Sequence, residues 1–241
     1  MISPIAELRR FIAAALIVPV RPRPPAVGRR ELTRRRVIAG LTIVAGAVLL
    51  TLTVRTEPGS TAFFVLGLVL AAVWLVGAVA SGPLRLGTAR TRAGGRSLAV
   101  VQSLALAAAL IALFLAGALV VAQLPGLRNP VLALLEHNTG PQILVVLVTV
   151  VNGIAEEVFF RGALYSAIGA SVPAVVITTL LYGLTTVGSG VPLLSLAAVM
   201  LGVVTALQRR VTGGVLGPII THVTWSVAML LLLPLVLDLA R

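Results

Sequence analysis

Residues 141–162 read PQILVVLVTVVNGIAEEVFFRG. The run is long and apolar enough to cross a bilayer, yet it carries Glu156, Glu157 and Arg161. A charged side chain near the bilayer centre costs about 2.5–3.5 kcal/mol on insertion scales, so such groups face a protein interior or a wet cavity. The stretch therefore predicts a spanning helix whose inner face carries the functional centre of the chain.

The surrounding sequence agrees with a membrane setting. Of 241 residues 59% are hydrophobic and 11% are charged, and the apolar residues come in long runs, not in the alternation of a soluble core. Prolines (14) and glycines (23) are scattered through those runs and aromatics make up only 4%, which gives a closed barrel little support. Helices satisfy their own backbone in lipid, so the fold class is all-α, a polytopic helix bundle. A span needs roughly 20 apolar residues for a hydrocarbon core of about 30 Å. Seven stretches qualify: 37–54, 61–80, 97–123, 141–160, 172–188, 191–208 and 214–236. The break at Gly188-Ser189-Gly190-Val191-Pro192 predicts a tight turn.

All 19 basic residues are Arg and the net charge is +12. Short cytoplasmic loops collect positive charge. Fifteen Arg fall on one side, nine within residues 1–36, then Arg85, Arg90, Arg92, Arg96, Arg209 and Arg210. Arg55, Arg128 and Arg241 fall on the other. This places the N-terminus in the cytoplasm of a multi-pass plasma-membrane protein and the C-terminus outside. The basic charge follows topology, so nucleic acid is not an expected partner. Arg9-Arg10 followed by Phe11–Val20 resembles a signal peptide, but the run is too short to span and no small-residue cleavage site follows. It predicts a short interfacial helix with a basic tail on anionic lipid, or a plain topology signal. The expected organisation is a basic N-terminal segment (1–36), N-terminal spans (37–140) and a core carrying the chemistry (141–236).

The chain has no cysteine, which excludes disulfides, thiolate metal sites and a cysteine nucleophile. Its two histidines are His137, expected in an outer loop, and His222. On a helix turning about 100° per residue, Glu157 and Arg161 stand at i and i+4 and can pair, whereas Glu156 points about 140° away from Arg161. Glu157 with Arg161 thus predicts a structural ion pair. Glu156 shares its face with Asn152 and lacks a near counter-charge, which suits a general base that takes a proton from water. In the last span His222 and Ser226 share a face, and in the fifth Thr178, Thr179, Tyr182, Thr185 and Thr186 predict a stripe of packing hydroxyls.

Glu156-Glu157-Val158-Phe159-Phe160-Arg161 matches the E-E-x-x-x-R motif of the CAAX prenyl protease and bacteriocin-processing (CPBP, or Abi) family of intramembrane proteases. The resemblance covers about residues 141–236, with Gly162, Tyr165 and a final-span His where the family's H-x-x-x-N motif belongs. Its middle motif, F-x-x-x-H, falls on Tyr182-Gly183-Leu184-Thr185-Thr186, so Thr186 replaces the histidine, and Ser226 stands at the final Asn. The resemblance implies Glu156 as base and His222 as oxyanion partner, with Ser226 able to donate one hydrogen bond; Thr186 can be neither base nor good metal ligand. It implies a membrane-embedded or lipid-anchored peptide substrate, admitted through a cavity open to the cytoplasmic leaflet. Zinc enters by resemblance alone, because one Glu, one His and two hydroxyls fall short of the three strong ligands of catalytic zinc; no metal ligand is assigned.

Other intramembrane chemistries fit less well. There is no H-E-x-x-H, no intramembrane Asp pair and no intramembrane Asp for a serine triad. Ser189 in its Gly-flanked loop is a turn residue. The expected function is a glutamate-dependent intramembrane endopeptidase; the alternative is a catalytically weakened relative that binds a membrane partner or acts in immunity. A proton-coupled transporter would require repeats that the sequence does not display.

Overall fold

The computed structural model describes residues 3–20, 28–91, 94–135, 139–169 and 172–240. His137 lies outside them. The described chain is almost entirely helical, with α1 Pro4–Ile12, α2 Arg29–Arg55, α3 Thr61–Ser81, α4 Val100–Ala122, α5 Pro125–Leu135, α6 Gln142–Glu157, α7 Tyr165–Ile168, α8 Val172–Thr186, α9 Pro192–Thr212 and α10 Leu216–Leu239. A π-helical stretch, Val158–Leu164, joins α6 to α7 without a break. A two-residue hairpin, β1 Ala89–Arg90 against β2 Arg96–Ser97, is the sheet among the described residues.

Seven helices are long and apolar enough to cross a membrane: α2, α3, α4, the continuous α6–α7 rod, α8 extended to Ser189, α9 and α10. The protein is a multi-pass membrane protein. Each span lies within a few residues of its sequence-based bounds except the fourth, which runs on to Ile168, and α2, which starts eight residues early. The spans alternate in direction. The starts of α2, α4, α8 and α10 and the ends of α3, α7 and α9 therefore share one end of the bundle, the Arg-rich end.

Small residues set the packing. Without a hydrophobic drive between helices in lipid, close approach and dispersion hold the bundle together. A Cβ on Gly46 would overlap the Trp74 indole, and one on Gly77 would overlap Thr42, so α2 and α3 meet only because both positions are glycine. Trp74 then stacks on Phe159 (4.8 Å) and Phe160 (5.1 Å), which fastens α3 to the π-helical stretch. Leu41, Val44, Val48 and Leu52 are exposed along α2, the face that lipid solvates. The turn between α8 and α9 is the expected one, with Gly190 in the left-handed region at φ 75°.

The N-terminal segment departs from a helix lying on lipid alone. After α1 a π-helical turn, Ala13–Ile17, buries Ala15, and Val20 donates its backbone N–H to the Val211 carbonyl at 2.9 Å. The exposed Ile5, Leu8 and Ile12 of α1 keep the amphipathic character expected of an interfacial helix.

Candidate active site

The fourth span brings its charges inward. Glu157 and Arg161 have no solvent exposure, and Arg161 Nη1 donates to Glu157 Oε1 at 3.0 Å. The expected i,i+4 pair thus forms, although within a π-helical stretch. Arg161 Nη2 donates to the Gly202 carbonyl at 3.2 Å, and the guanidinium lies 4.8 Å from the Tyr182 ring centroid. Gly202 makes this possible, since a Cβ there would stand 3.3 Å from Arg161 Nη2.

Glu157 also holds His222, whose Nδ1 lies 2.8 Å from Glu157 Oε1. A carboxylate accepts, so Nδ1 carries the hydrogen and Nε2 is turned the other way. That leaves Nε2 at 4.0 Å from Glu156 Oε2. Gly153 eases the approach of α6 to α10, because a Cβ there would stand 3.3 Å from Val223. The second carboxylate therefore does more than balance Arg161: it fixes which imidazole nitrogen meets the first.

Glu156 is not unpartnered. Tyr182 Oη donates to Glu156 Oε2 at 2.6 Å, so the expectation of Tyr182 as a packing hydroxyl gives way to direct contact with the carboxylate. Thr185 and Thr186 do follow that expectation, bonding back to the carbonyls of Tyr182 and Gly183 at 2.7 Å each. Thr186 Oγ1 also lies 3.0 Å from Ser195 Oγ. Asn152 shares the wall but not the carboxylate: its Nδ2 donates to the carbonyls of Gly67 and Val148, both at 3.0 Å.

These residues converge. A cavity of about 220 Å³ is lined by Asn152, Glu156, Tyr182, Thr186, His222 and Ser226, among others. Glu157 and Arg161 stand behind it. Trp225, which sequence reasoning passed over, also lines it, and its indole Nε1 is buried without a hydrogen-bond partner. The available signal was helical spacing, since Trp225 follows His222 by three residues.

Toward the Arg-rich end, side-chain hydrogen bonds tie the helices to one another. Gln208 Nε2 donates to Ser103 Oγ (3.2 Å), Thr221 Oγ1 to the Ser103 carbonyl (3.1 Å) and Arg209 Nε to the Arg161 carbonyl (2.6 Å). Residues 85–88 add backbone bonds to 212–216. Zinc does not fit. Among the described residues no group of three His, Cys, Asp or Glu could hold a metal ion, and Nδ1 of His222 is occupied by Glu157.

Residues 138–228 match the family model described as Rce1-like, type II CAAX prenyl endopeptidase. The matched stretch contains every residue assigned above to the cavity wall and its support, from Asn152 to Ser226. It bears out the resemblance carried by the E-E-x-x-x-R motif and points to a CAAX-type intramembrane protease. No curated protein and no solved structure matches the chain.

Proposed function

We propose that the protein is an intramembrane endopeptidase in which Glu156 activates water to hydrolyse a peptide bond of a membrane-embedded or lipid-anchored substrate. The observation that carries this reading is the meeting of Glu156 and the Nε2 side of His222, 4.0 Å apart, on one cavity inside the bundle. Glu156 takes a proton from water, and the resulting hydroxide attacks the peptide carbonyl carbon. The developing oxyanion accepts from His222 Nε2, when the ring carries both protons, and from Ser226 Oγ. Collapse breaks the C–N bond, and Glu156 returns its proton to the departing amine. Tyr182 orients the carboxylate by its 2.6 Å hydrogen bond, and Glu157 orients the imidazole. Oriented donors of this kind contribute about a hundredfold to a thousandfold each.

The test is cleavage of membrane-anchored peptides by purified protein in lipid. Glu156→Gln should abolish cleavage and leave the melting temperature within a few degrees of wild type. A second reading rests on Thr186, whose hydroxyl is committed to Gly183 and Ser195 where the family pattern has a histidine: a weakened relative that uses the same cavity to bind a membrane partner. Glu156→Gln binding partners as wild type does, with neither cleaving, would favour it. In both readings the protein lies in the plasma membrane with its N-terminus cytoplasmic, and the Arg of residues 1–36 meet anionic lipid.

A further inference from the structure

The side chains that line the cavity around Glu156 differ in where their hydrogens are committed. Asn152 gives its amide hydrogens to the carbonyls of Gly67 and Val148. The hydroxyls of Thr149, Thr185 and Thr186 donate to the carbonyls of Val145, Tyr182 and Gly183. His222 gives its Nδ1 hydrogen to Glu157, so the neutral ring presents a lone pair, not a donor, to Glu156 at Nε2. All of those acceptors keep their charge while a peptide bond is hydrolysed by Glu156 and water. Tyr182 differs from these donors in resting on a group that does not, since its Oη donates to Glu156 Oε2 at 2.6 Å. The family's middle motif, F-x-x-x-H, has Phe where Tyr182 stands, so this hydroxyl is a feature of the present chain.

We propose that Tyr182 is a catalytic residue whose hydroxyl switches acceptor during the reaction, from the Glu156 carboxylate at rest to the oxyanion of the tetrahedral intermediate. The role belongs to the peptidase reading and falls with it. Tyr182 occupies Oε2, which leaves Oε1 to take the proton of water. The water O–H bond breaks, the Oε1–H bond forms, and hydroxide adds to the peptide carbonyl carbon. Negative charge has then left Glu156 and sits on the former carbonyl oxygen. A hydrogen bond to an ionised acceptor is roughly twice as strong as one between neutral groups, so the Tyr182 hydrogen follows the charge. The move is a rotation about the Cζ–Oη bond and needs no shift of the ring, which is buried and packs edge-on against Phe160 with centroids 4.9 Å apart. The Arg161 guanidinium, 4.8 Å from the ring centroid, favours donation, because a cation over the ring stabilises negative charge drawn onto the phenol oxygen. When the C–N bond breaks, the oxyanion becomes a carbonyl again and Glu156 gives its proton to the amine nitrogen. The hydroxyl then returns to Oε2. Tyr182 keeps its own proton throughout and, unlike His222 Nε2, donates without first gaining one.

The experiment separates a donor to the oxyanion from a residue that only orients the base. Membrane-anchored peptides of the cleavage panel would be made in two uncleavable forms and offered to the full chain in lipid. A phosphinate in place of the peptide bond is tetrahedral and anionic, like the intermediate; a trans-alkene is flat and neutral. Wild type should bind the phosphinate more tightly. Tyr182→Phe should lose about a hundredfold of that preference and about a hundredfold in kcat, with KM and the alkene affinity held within about threefold. A second measurement leaves Tyr182 in place. The chain has two tyrosines, Tyr165 and Tyr182, so fluorotyrosine incorporated into Tyr165→Phe reports on position 182 alone. Its fluorine resonance should move when the phosphinate binds and stay when the alkene binds. A lower kcat with the phosphinate preference retained, or a resonance that ignores the phosphinate, would confine the hydroxyl to orienting Glu156; the inference would be overturned and the peptidase reading would stand. Wild type that neither cleaves a peptide nor favours any phosphinate would overturn both.

Discussion

Removing the carboxylate of Glu157 leaves Arg161 as a charge with no exposure. Breaking a buried pair from one side costs about 3–5 kcal/mol, whereas replacing both partners by apolar groups of similar size is often close to neutral. Two contacts survive in Glu157→Met and place it toward the lower bound: the bond from Nη2 to Gly202 and the Tyr182 ring at 4.8 Å. His222 loses its acceptor as well, an orphaned buried donor worth about 1–3 kcal/mol. The expected cost is therefore about 4 kcal/mol for Glu157→Met and about 3 kcal/mol for Arg161→Met, since His222 still pairs with Glu157. The double variant should cost less than the sum by at least 2 kcal/mol, within the range of coupling seen for residues in contact. The assay is equilibrium unfolding in mixed micelles, followed by emission of Trp74, which packs on Phe159 and Phe160 next to the pair. Single variants with the wild-type midpoint, or a double variant costing the full sum, would refute the shared anchoring of Arg161 and His222 by one carboxylate.

Three other outcomes are expected. Tyr182→Phe removes one hydrogen bond to a carboxylate, about 1.5–3 kcal/mol of stability, so the melting temperature should fall by several degrees and cleavage should fall as Glu156 loses its orientation; an unchanged rate would leave Tyr182 a packing residue. Thr186→His restores the family pattern on the cavity wall and should raise cleavage, with Ser226→Asn raising it further; no gain in either would show that another group has taken over that position. Ser97 and Asn129 are exposed at opposite ends of the bundle, and cysteines there should react with an impermeant thiol reagent in intact cells at 129 and not at 97. The opposite pattern would invert the orientation.

Hydropathy made the seven spans legible because each must supply its own backbone bonds in lipid, and helix spacing made the Glu157–Arg161 pair legible because i,i+4 neighbours meet on any helix. Contacts between helices were less accessible. Whether Tyr182 faces Glu156 or packs against lipid depends on how α8 is rotated about its axis, and the even distribution of apolar residues in α8 gives no preferred face. The same holds for His222, whose bond to Glu157 crosses from α10 to α6.

The π-helical stretch Val158–Leu164 has a meaning for how the sequence can change. A π segment closes each ring one residue later than an α-helix does, so it behaves as an insertion absorbed without a loop. Glu156 and Glu157 lie before it and Tyr165 lies after it. Deleting one residue between 162 and 164 would let the rod revert to α-helix with both carboxylates in place. Everything from Tyr165 onward would keep nearly the same facing, because the π segment had already absorbed the extra residue, and Tyr165 would stay against the Arg209 guanidinium stacked over it at 5.1 Å. This span can thus lose one residue and leave both the carboxylates and the end of the rod where they are, a kind of variation that a plain α-helix does not tolerate.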